Sequence, residues 1–244
     1  MSETKIVSKL KEALKTSCNE AFYFSDNETK LIDAEYLLTV NAAKAIYELN
    51  TYFGEPYKIC LEHNTEKFST ACTPVYGRES SDNCIGYRTI VQSKKYDSER
   101  SGKIDIAIYT KSQGSEHPLC AIEVKGFNPS KNLIIKDLKR NSEYFGISSA
   151  TGTSSIKFTV FIGLHSYKGV WDDKREERNI SKLRTRYEKY IGSANLECLS
   201  HKIDIFTISR GTLPVQDDPE WGLQGNEDYQ FVGVILTTKK PINS

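Results

Sequence analysis

Two short apolar runs around a turn, within residues 101–127, place the strongest constraint on the fold of this chain. The first run covers residues 104–108, the second directly precedes Glu123, and the residues between them are rich in Gly, Ser and Pro. Apolar runs of this length around a turn predict two neighbouring β-strands. Asp105, Glu123 and Lys125 stand out as charged residues within apolar strand surroundings.

The spacing of these charges suggests a site for phosphodiester chemistry. Glu123 and Lys125 leave the same face of their strand, while Val124 points into the core. Two carboxylates on adjacent strands, with the carbonyl of Val124, form an oxygen-rich, half-open ligand set that suits Mg²⁺. The Lys125 ammonium would orient the attacking water or stabilise developing charge. A cross-strand cluster of salt bridges on an exposed sheet face explains the same residues, and their pattern alone does not choose between the two.

A predicted helix upstream contributes another candidate carboxylate. Residues 33–52 carry an apolar stripe at helical spacing, with Asp33 as the N-cap candidate and a Gly-Glu-Pro stop after it. Glu35 extends the stripe towards the N-terminus of this helix. A preference of the helix dipole for an acidic residue there and a role in the site explain this position equally well. Glu62 ends the next apolar run and is a second candidate acid, although a solvent-facing strand position is the preferred explanation.

The remaining hydrophobic patterns predict further helices and strands. The helices cover residues 4–18, 131–145 and 172–190. The strands cover residues 57–62 with a continuation as far as 68, a short segment at 87–91, and residues 156–164, 202–209 and 231–237. No internal repeat and no break in composition divides the chain, so a single α/β domain over residues 1–244 is the simplest organisation.

The order of these elements resembles the PD-(D/E)XK nuclease superfamily. A helix with Glu35 precedes a strand, a strand with Asp105 and a strand with Glu123-x-Lys125, and a helix and a strand follow. The resemblance covers residues 33–164 and implies an α/β (α+β) fold. Its core would be restriction-endonuclease-like, αβββαβ over about residues 33–165, with a mixed central sheet flanked by helices and an extension over residues 166–244. One departure is Ile104, where the family pattern has Pro before the Asp.

The resemblance also implies roles for residues. Asp105 and Glu123 take the metal-binding acidic positions, with the carbonyl of Val124 beside them. Lys125 takes the lysine position, and Glu35 matches the helix acid that many members add. The family implies a cytoplasmic, Mg²⁺-dependent nuclease, with Mn²⁺ able to substitute, most simply a DNA endonuclease of a prokaryotic or phage defence, restriction or repair system.

Other functions remain open on the sequence. One alternative is a catalytically silent nucleic-acid-binding or assembly subunit that retains the nuclease fold. Another is an effector nuclease that stays inactive until a partner or signal arrives. DNA is favoured over RNA as the substrate, but no residue in the sequence decides between the two. Double-strand cleavage with one site per chain would favour a homodimer.

Basic residues give candidate contacts to nucleic acid, although the overall charge is uninformative. The chain has 33 basic and 32 acidic residues, a formal net charge of +1, so only the distribution of charge can indicate such binding. The candidates are Lys136, Lys139 and Arg140 on one helix, Arg178, Lys182, Arg186 and Lys189 on another, and Arg88, Lys94, Lys95 and Arg100 in an irregular stretch. A solvated surface explains the same charges.

Cysteine spacing and hydropathy favour a cytoplasmic protein without a membrane-spanning segment. No run of 18 or more apolar residues appears, and the first residues lack the apolar region of a signal peptide. None of the six cysteines forms a C-x-x-C pair, and no His follows at zinc-finger spacing. We expect all six to be reduced and structural.

Overall fold

The computed structural model describes residues 2–23, 34–50, 56–73, 102–112, 115–149, 152–170, 172–213 and 227–241. The helices are α1 (Ser2–Tyr23), α2 (Ala34–Tyr47), α3 (Thr65–Cys72), α4 (Lys131–Gly146) and α5 (Asp173–Ser193), and a 3₁₀ turn at Glu48–Asn50 follows α2. The strands are β1 (Tyr57–Asn64), β2 (Lys103–Ser112), β3 (Ser115–Phe127), β4 (Ser148–Ser149), β5 (Gly152–Thr153), β6 (Phe158–Lys168), β7 (Ser200–Leu213) and β8 (Glu227–Lys239).

Six of these strands form one sheet in the order β1-β2-β3-β6-β8-β7. The central strands β3 and β6 run parallel and are joined by a crossover through α4, whereas the other neighbouring pairs are antiparallel. The short strands β4 and β5 pair only with each other. The fold is therefore α+β with a mixed sheet, in agreement with the sequence prediction at this level.

Helices cover both faces of the sheet, because successive strand residues point to opposite sides. Ile106, Ile122 and Val124 belong to an apolar cluster with α1 and α2. Ala107 and Ala121, one residue away in each strand, belong to a cluster with α3 and the end of α4. A third cluster joins α4 and α5 to β6 and β8 on that second side. The alternation fixes which face each site residue occupies.

Several element boundaries differ from the sequence prediction for local reasons. The strand that begins at Tyr57 ends at Asn64 and does not continue to 68. The side chain of Asn64 accepts a hydrogen bond from Lys67 N at 2.9 Å, and this N-cap starts α3, a helix that the apolar pattern did not reveal. The strand predicted from residue 156 begins only at Phe158 and continues to Lys168.

The predicted C-terminal extension is part of the central sheet. β8 pairs with β6 on one side and with β7 on the other, and both strands are longer than predicted. α1 packs against α2 and also against β8, so a helix from before the predicted core contacts a strand from after it. The residues on either side of the predicted core therefore complete the layers around it.

A few predictions concern other parts of the molecule. Three of them lie outside the described residues: the strand predicted at 87–91, the N-cap candidate Asp33, and the basic residues Arg88, Lys94, Lys95 and Arg100. The cysteines that the structure describes, Cys18, Cys60, Cys72, Cys120 and Cys198, are free thiols. Within the described ranges, no helix is both long enough and apolar enough to cross a membrane.

Candidate active site

The pairing of β2 with β3 brings the two predicted metal-binding acids to the same place. Ile106 pairs with Ile122 at the end of the antiparallel register, and Asp105 and Glu123 are the next residues along the two strands. The backbone N–H of Val124 donates a hydrogen bond of 2.7 Å to Asp105 Oδ2. The site therefore combines residues from two strands that are adjacent in both sequence and space.

The alternation of β3 sends the side chains of Glu123 and Lys125 towards α4. Val124 is fully buried in the cluster with α1 and α2, so Glu123 and Lys125 leave the opposite face. Glu123 is only 2% exposed. This face of the sheet is covered by helices, so the charged residues do not lie on an exposed sheet face, although Lys125 does form ion pairs with acidic side chains.

Lys125 joins the site to both helical layers. Its Nζ donates hydrogen bonds to Glu35 Oε1 at 2.9 Å and to the carbonyl oxygen of Val124 at 2.8 Å. The same Nζ lies 3.5 Å from Asp137 Oδ2. Glu35 stands in the first turn of α2 and Asp137 lies on α4, so one ammonium group links helices that cover opposite faces of the sheet.

The electrostatics of the site favour a protonated lysine. Burial lowers the pKa of Lys125, but the attraction of Asp137, the hydrogen bond to Glu35 and the attraction of Asp105 outweigh it, so its pKa lies above the usual value. Burial raises the pKa of Asp105 and outweighs the hydrogen bond from Val124 and the attraction of Lys125. At neutral pH Lys125 is therefore an ammonium ion, which suits a role as donor and positive charge rather than as a general base.

Asp137 is a site residue that the sequence prediction missed. It is 4% exposed, and its Oδ1 lies 3.5 Å from Arg140 Nη1. A signal was present in the sequence, because Asp137 lies three residues after Ile134 and next to Leu138, two apolar residues of α4 that are buried. A carboxylate on the buried face of a helix needs a partner, and that requirement would have singled it out.

The second candidate acid and the basic residues predicted on α4 lie outside the cluster of Asp105, Glu123 and Lys125. The side chain of Glu62 is exposed and lies 3.5 Å from Lys103 Nζ, in agreement with its preferred solvent-facing position. Lys136 is exposed on α4. Arg140, predicted to contact nucleic acid, reaches Asp137 and the carbonyl oxygen of Lys103, the latter at 3.4 Å.

The basic residues of α5 occupy its outer face. Leu183, Tyr187 and Ile191 are buried beneath the helix. Arg178, Lys182, Arg186 and Lys189 are exposed. Ser181, Lys182, Thr185, Arg186 and Lys189 line a shallow depression of about 500 Å³. The surface is basic and solvent-accessible, which both a solvated helix face and a phosphate-binding face require.

The donor chemistry of the site suits a hard divalent cation. The ligand atoms offered by Asp105, Glu123 and Val124 are all oxygens, and Mg²⁺ is commonly held by one or two carboxylates with water and substrate phosphate completing its shell. Among the residues that the structure describes, no group of three or more His, Cys, Asp and Glu side chains is placed to hold a metal ion. Within that part of the chain, the proposed ligands are two carboxylates and a carbonyl, and that carbonyl already accepts a hydrogen bond from Lys125.

Comparison with known proteins identifies no relative of this chain. No family model matches the chain, and neither a curated protein nor a solved structure matches it. The fold and the geometry around Lys125 are therefore the observations that bear on function.

Proposed function

We propose that this protein is a metal-dependent nuclease that hydrolyses phosphodiester bonds, with DNA as the favoured substrate. One observation carries the proposal: Lys125 Nζ lies 2.9 Å from Glu35 Oε1 at the end of the strand that also holds Glu123 and binds Asp105 through Val124 N. A helix acid, two strand acids and a lysine thus occupy one site although they come from distant parts of the sequence.

The topology supports the same proposal. The chain contains α2, β1, β2, β3, α4 and β6 in the order that the resemblance to the PD-(D/E)XK superfamily implies, with β3 and β6 parallel at the centre of a mixed sheet. Beyond that order, α3 lies between β1 and β2, and the short strands β4 and β5 lie between α4 and β6. We interpret this part of the chain as a restriction-endonuclease-like core. Asp105, Glu123 and Lys125 then occupy the strand positions that the motif requires.

The proposed division of labour follows from the contacts. Asp105, Glu123 and the carbonyl of Val124 are the groups that would hold Mg²⁺. When bound, such an ion supplies a water of lowered pKa and withdraws charge from the scissile phosphate. Lys125 presents a positive charge and N–H donors to the reacting phosphate or to the attacking water. Glu35 accepts a hydrogen bond from Lys125 and so fixes where its ammonium group lies.

The test is a cleavage panel of duplex and single-stranded DNA and RNA, with Mg²⁺, with Mn²⁺ and with EDTA. We expect Mg²⁺-dependent cleavage that Asp105→Asn or Glu123→Gln lowers by at least about 100-fold, because each substitution removes a ligand charge and keeps the side-chain size. Glu116→Gln is the matched control, since Glu116 lies on β3 but pairs with Lys58 in an exposed ion pair. Full cleavage by the Asp105→Asn variant would refute the assignment.

A catalytically silent nucleic-acid-binding subunit is the second candidate. It is favoured by the hydrogen bond from Lys125 to the Val124 carbonyl, which engages one proposed ligand atom with the protein's own cation. Gel-shift measurements with and without Mg²⁺ separate the two functions. Binding of nucleic acid without cleavage of any substrate in the panel would favour the silent subunit.

A further inference from the structure

Asp137 is a buried carboxylate that the chemistry above leaves without a role. It lies in the middle of α4 between residues of the apolar face, and its side chain is 5% exposed. Within the described part of the chain, Asp137 Oδ2 is buried and has no hydrogen-bond partner, and it lies 3.5 Å from Lys125 Nζ. Burial of a carboxylate costs free energy unless a positive charge compensates it, so its place here needs a reason.

The two carboxylates beside Lys125 are in different surroundings. The side chain of Glu35 is 41% exposed, whereas Asp137 is almost completely covered. Water and salt screen an exposed charge much more than a buried one. The attraction between Asp137 and Lys125 is therefore screened less by water and salt than that of Glu35. It persists when a polyanion approaches the surface.

Arg140 attaches Asp137 to the strand that carries Asp105. Arg140 Nη1 lies 3.5 Å from Asp137 Oδ1, and Nη2 donates to the carbonyl oxygen of Lys103, two residues before Asp105 on β2. A chain of contacts thus runs from Lys125 on β3 through α4 to β2. Its two ends lie on the strands that provide the site.

We propose that Asp137 is a positioning residue that holds the Lys125 ammonium in place relative to Asp105 and Glu123, with Arg140 as its anchor to β2. This inference rests on the proposed nuclease function. It assigns Arg140 to the support of the site and removes it from the residues that contact phosphate.

The first experiment measures steady-state cleavage of the best substrate by Asp137→Asn, which removes the charge and keeps the shape. We expect kcat to fall by about 10- to 100-fold with KM changed by less than about twofold, because substrate binding is retained and transition-state stabilisation is lost. Glu143→Gln is the control, since Glu143 lies exposed on the same helix. An unchanged kcat in Asp137→Asn would overturn the proposal.

Arg140→Met tests the anchor. We expect a smaller fall in kcat than in Asp137→Asn, again with little change in KM. A phosphate contact would behave differently, because its loss would raise KM and reduce the dependence of binding on salt. That second result would overturn the anchoring role.

A double-mutant cycle tests the contact without using activity. Thermal midpoints are measured for Lys125→Met, Asp137→Asn and the double variant. We expect the double variant to lose less than the sum of the two single losses, since either substitution already breaks the pair. Additive losses would show that the two groups do not interact. If the wild-type protein cleaved nothing, the nuclease proposal would fail, while this cycle would still decide whether Asp137 holds Lys125.

Discussion

Lys125 shows what single residues reveal before a structure is known and what they do not. Its spacing from Glu123 predicted a shared face of β3, and the structure places both side chains on that face. The partner from α2 was one of two explanations for Glu35, and the contact of 2.9 Å supports the one that involves the site. Asp137 was missed although its spacing from Ile134 and Leu138 places it on the apolar face of α4, where a buried carboxylate needs a partner.

His165 is a buried titratable group that lies outside the candidate active site. It lies on β6, and its Nε2 is 3.0 Å from the hydroxyl oxygen of Tyr187 on α5. Burial lowers the pKa of His165 from 6.5 to about 4, with a smaller contribution from Arg186. The unfolded chain therefore binds this proton more readily than the folded protein between those two values, and acid favours unfolding.

Acidification should therefore weaken the fold through His165. Between pH 7 and pH 5 we expect this residue to contribute a loss of about 2 kcal/mol in the free energy of unfolding. Denaturant unfolding at both pH values measures it. The loss should be smaller in His165→Phe, which keeps a ring against Tyr187, and unchanged in His117→Gln, where the imidazole is exposed on β3. An equal loss in His165→Phe and the wild-type protein would contradict this prediction.

At the scale of elements, periodicity located the long helices and the six strands of the central sheet, because an apolar face must be buried. β6 is buried over its first eight residues, which matches the nearly continuous apolar run that predicted it. α3 escaped prediction because it is short and its start depends on the side chain of Asn64. A local hydrogen bond of that kind leaves little trace in hydropathy.

The outer face of α5 carries a prediction about binding. We expect the combined substitution of Lys182, Arg186 and Lys189 by Gln to weaken DNA binding and to reduce the slope of log affinity against log salt by up to about 3, one unit for each lost phosphate contact. Fluorescence anisotropy at several salt concentrations measures the slope.

The matched control replaces Lys5, Lys15 and Lys44 by Gln. These residues are exposed on α1 and α2, so the control has the same change in net charge on different helices. It should leave the slope close to that of the wild-type protein. An equal reduction in both variants would mean that α5 contributes only general charge.

At the scale of the whole molecule, the strand order was the part that the sequence could not provide. Alternation indicates which face of a strand is buried, but it does not say which strand lies beside it. The sequence prediction ended the core near residue 165 and treated the rest as an extension. In the structure β8 lies between β6 and β7, and Val232, Val234 and Leu236 pack beneath α4 and α5.

Removal of β8 should therefore prevent the domain from folding, because β8 is part of the central sheet and not a peripheral segment. We expect a chain that ends at residue 226, and equally a fragment of residues 33–165, to aggregate or to lack a cooperative unfolding transition, because one edge of the buried strand β6 is left unpaired. A chain that ends at residue 241 is the control and should unfold like the full-length protein. Size-exclusion chromatography and thermal unfolding measure the difference, and a monomeric, cooperatively folded 1–226 chain would contradict the prediction.

The place of β8 beside β6 also has a consequence during translation. β2 and β3 are synthesised before β8, and their hairpin can form locally, whereas β6 lacks one of its two neighbours until β8 has been synthesised. Until then the nascent chain offers an open hydrophobic edge, which a chaperone would have to protect. The central sheet can therefore be completed only after residues 227–239 have been synthesised, so its closure is a post-hairpin step in the folding of the chain.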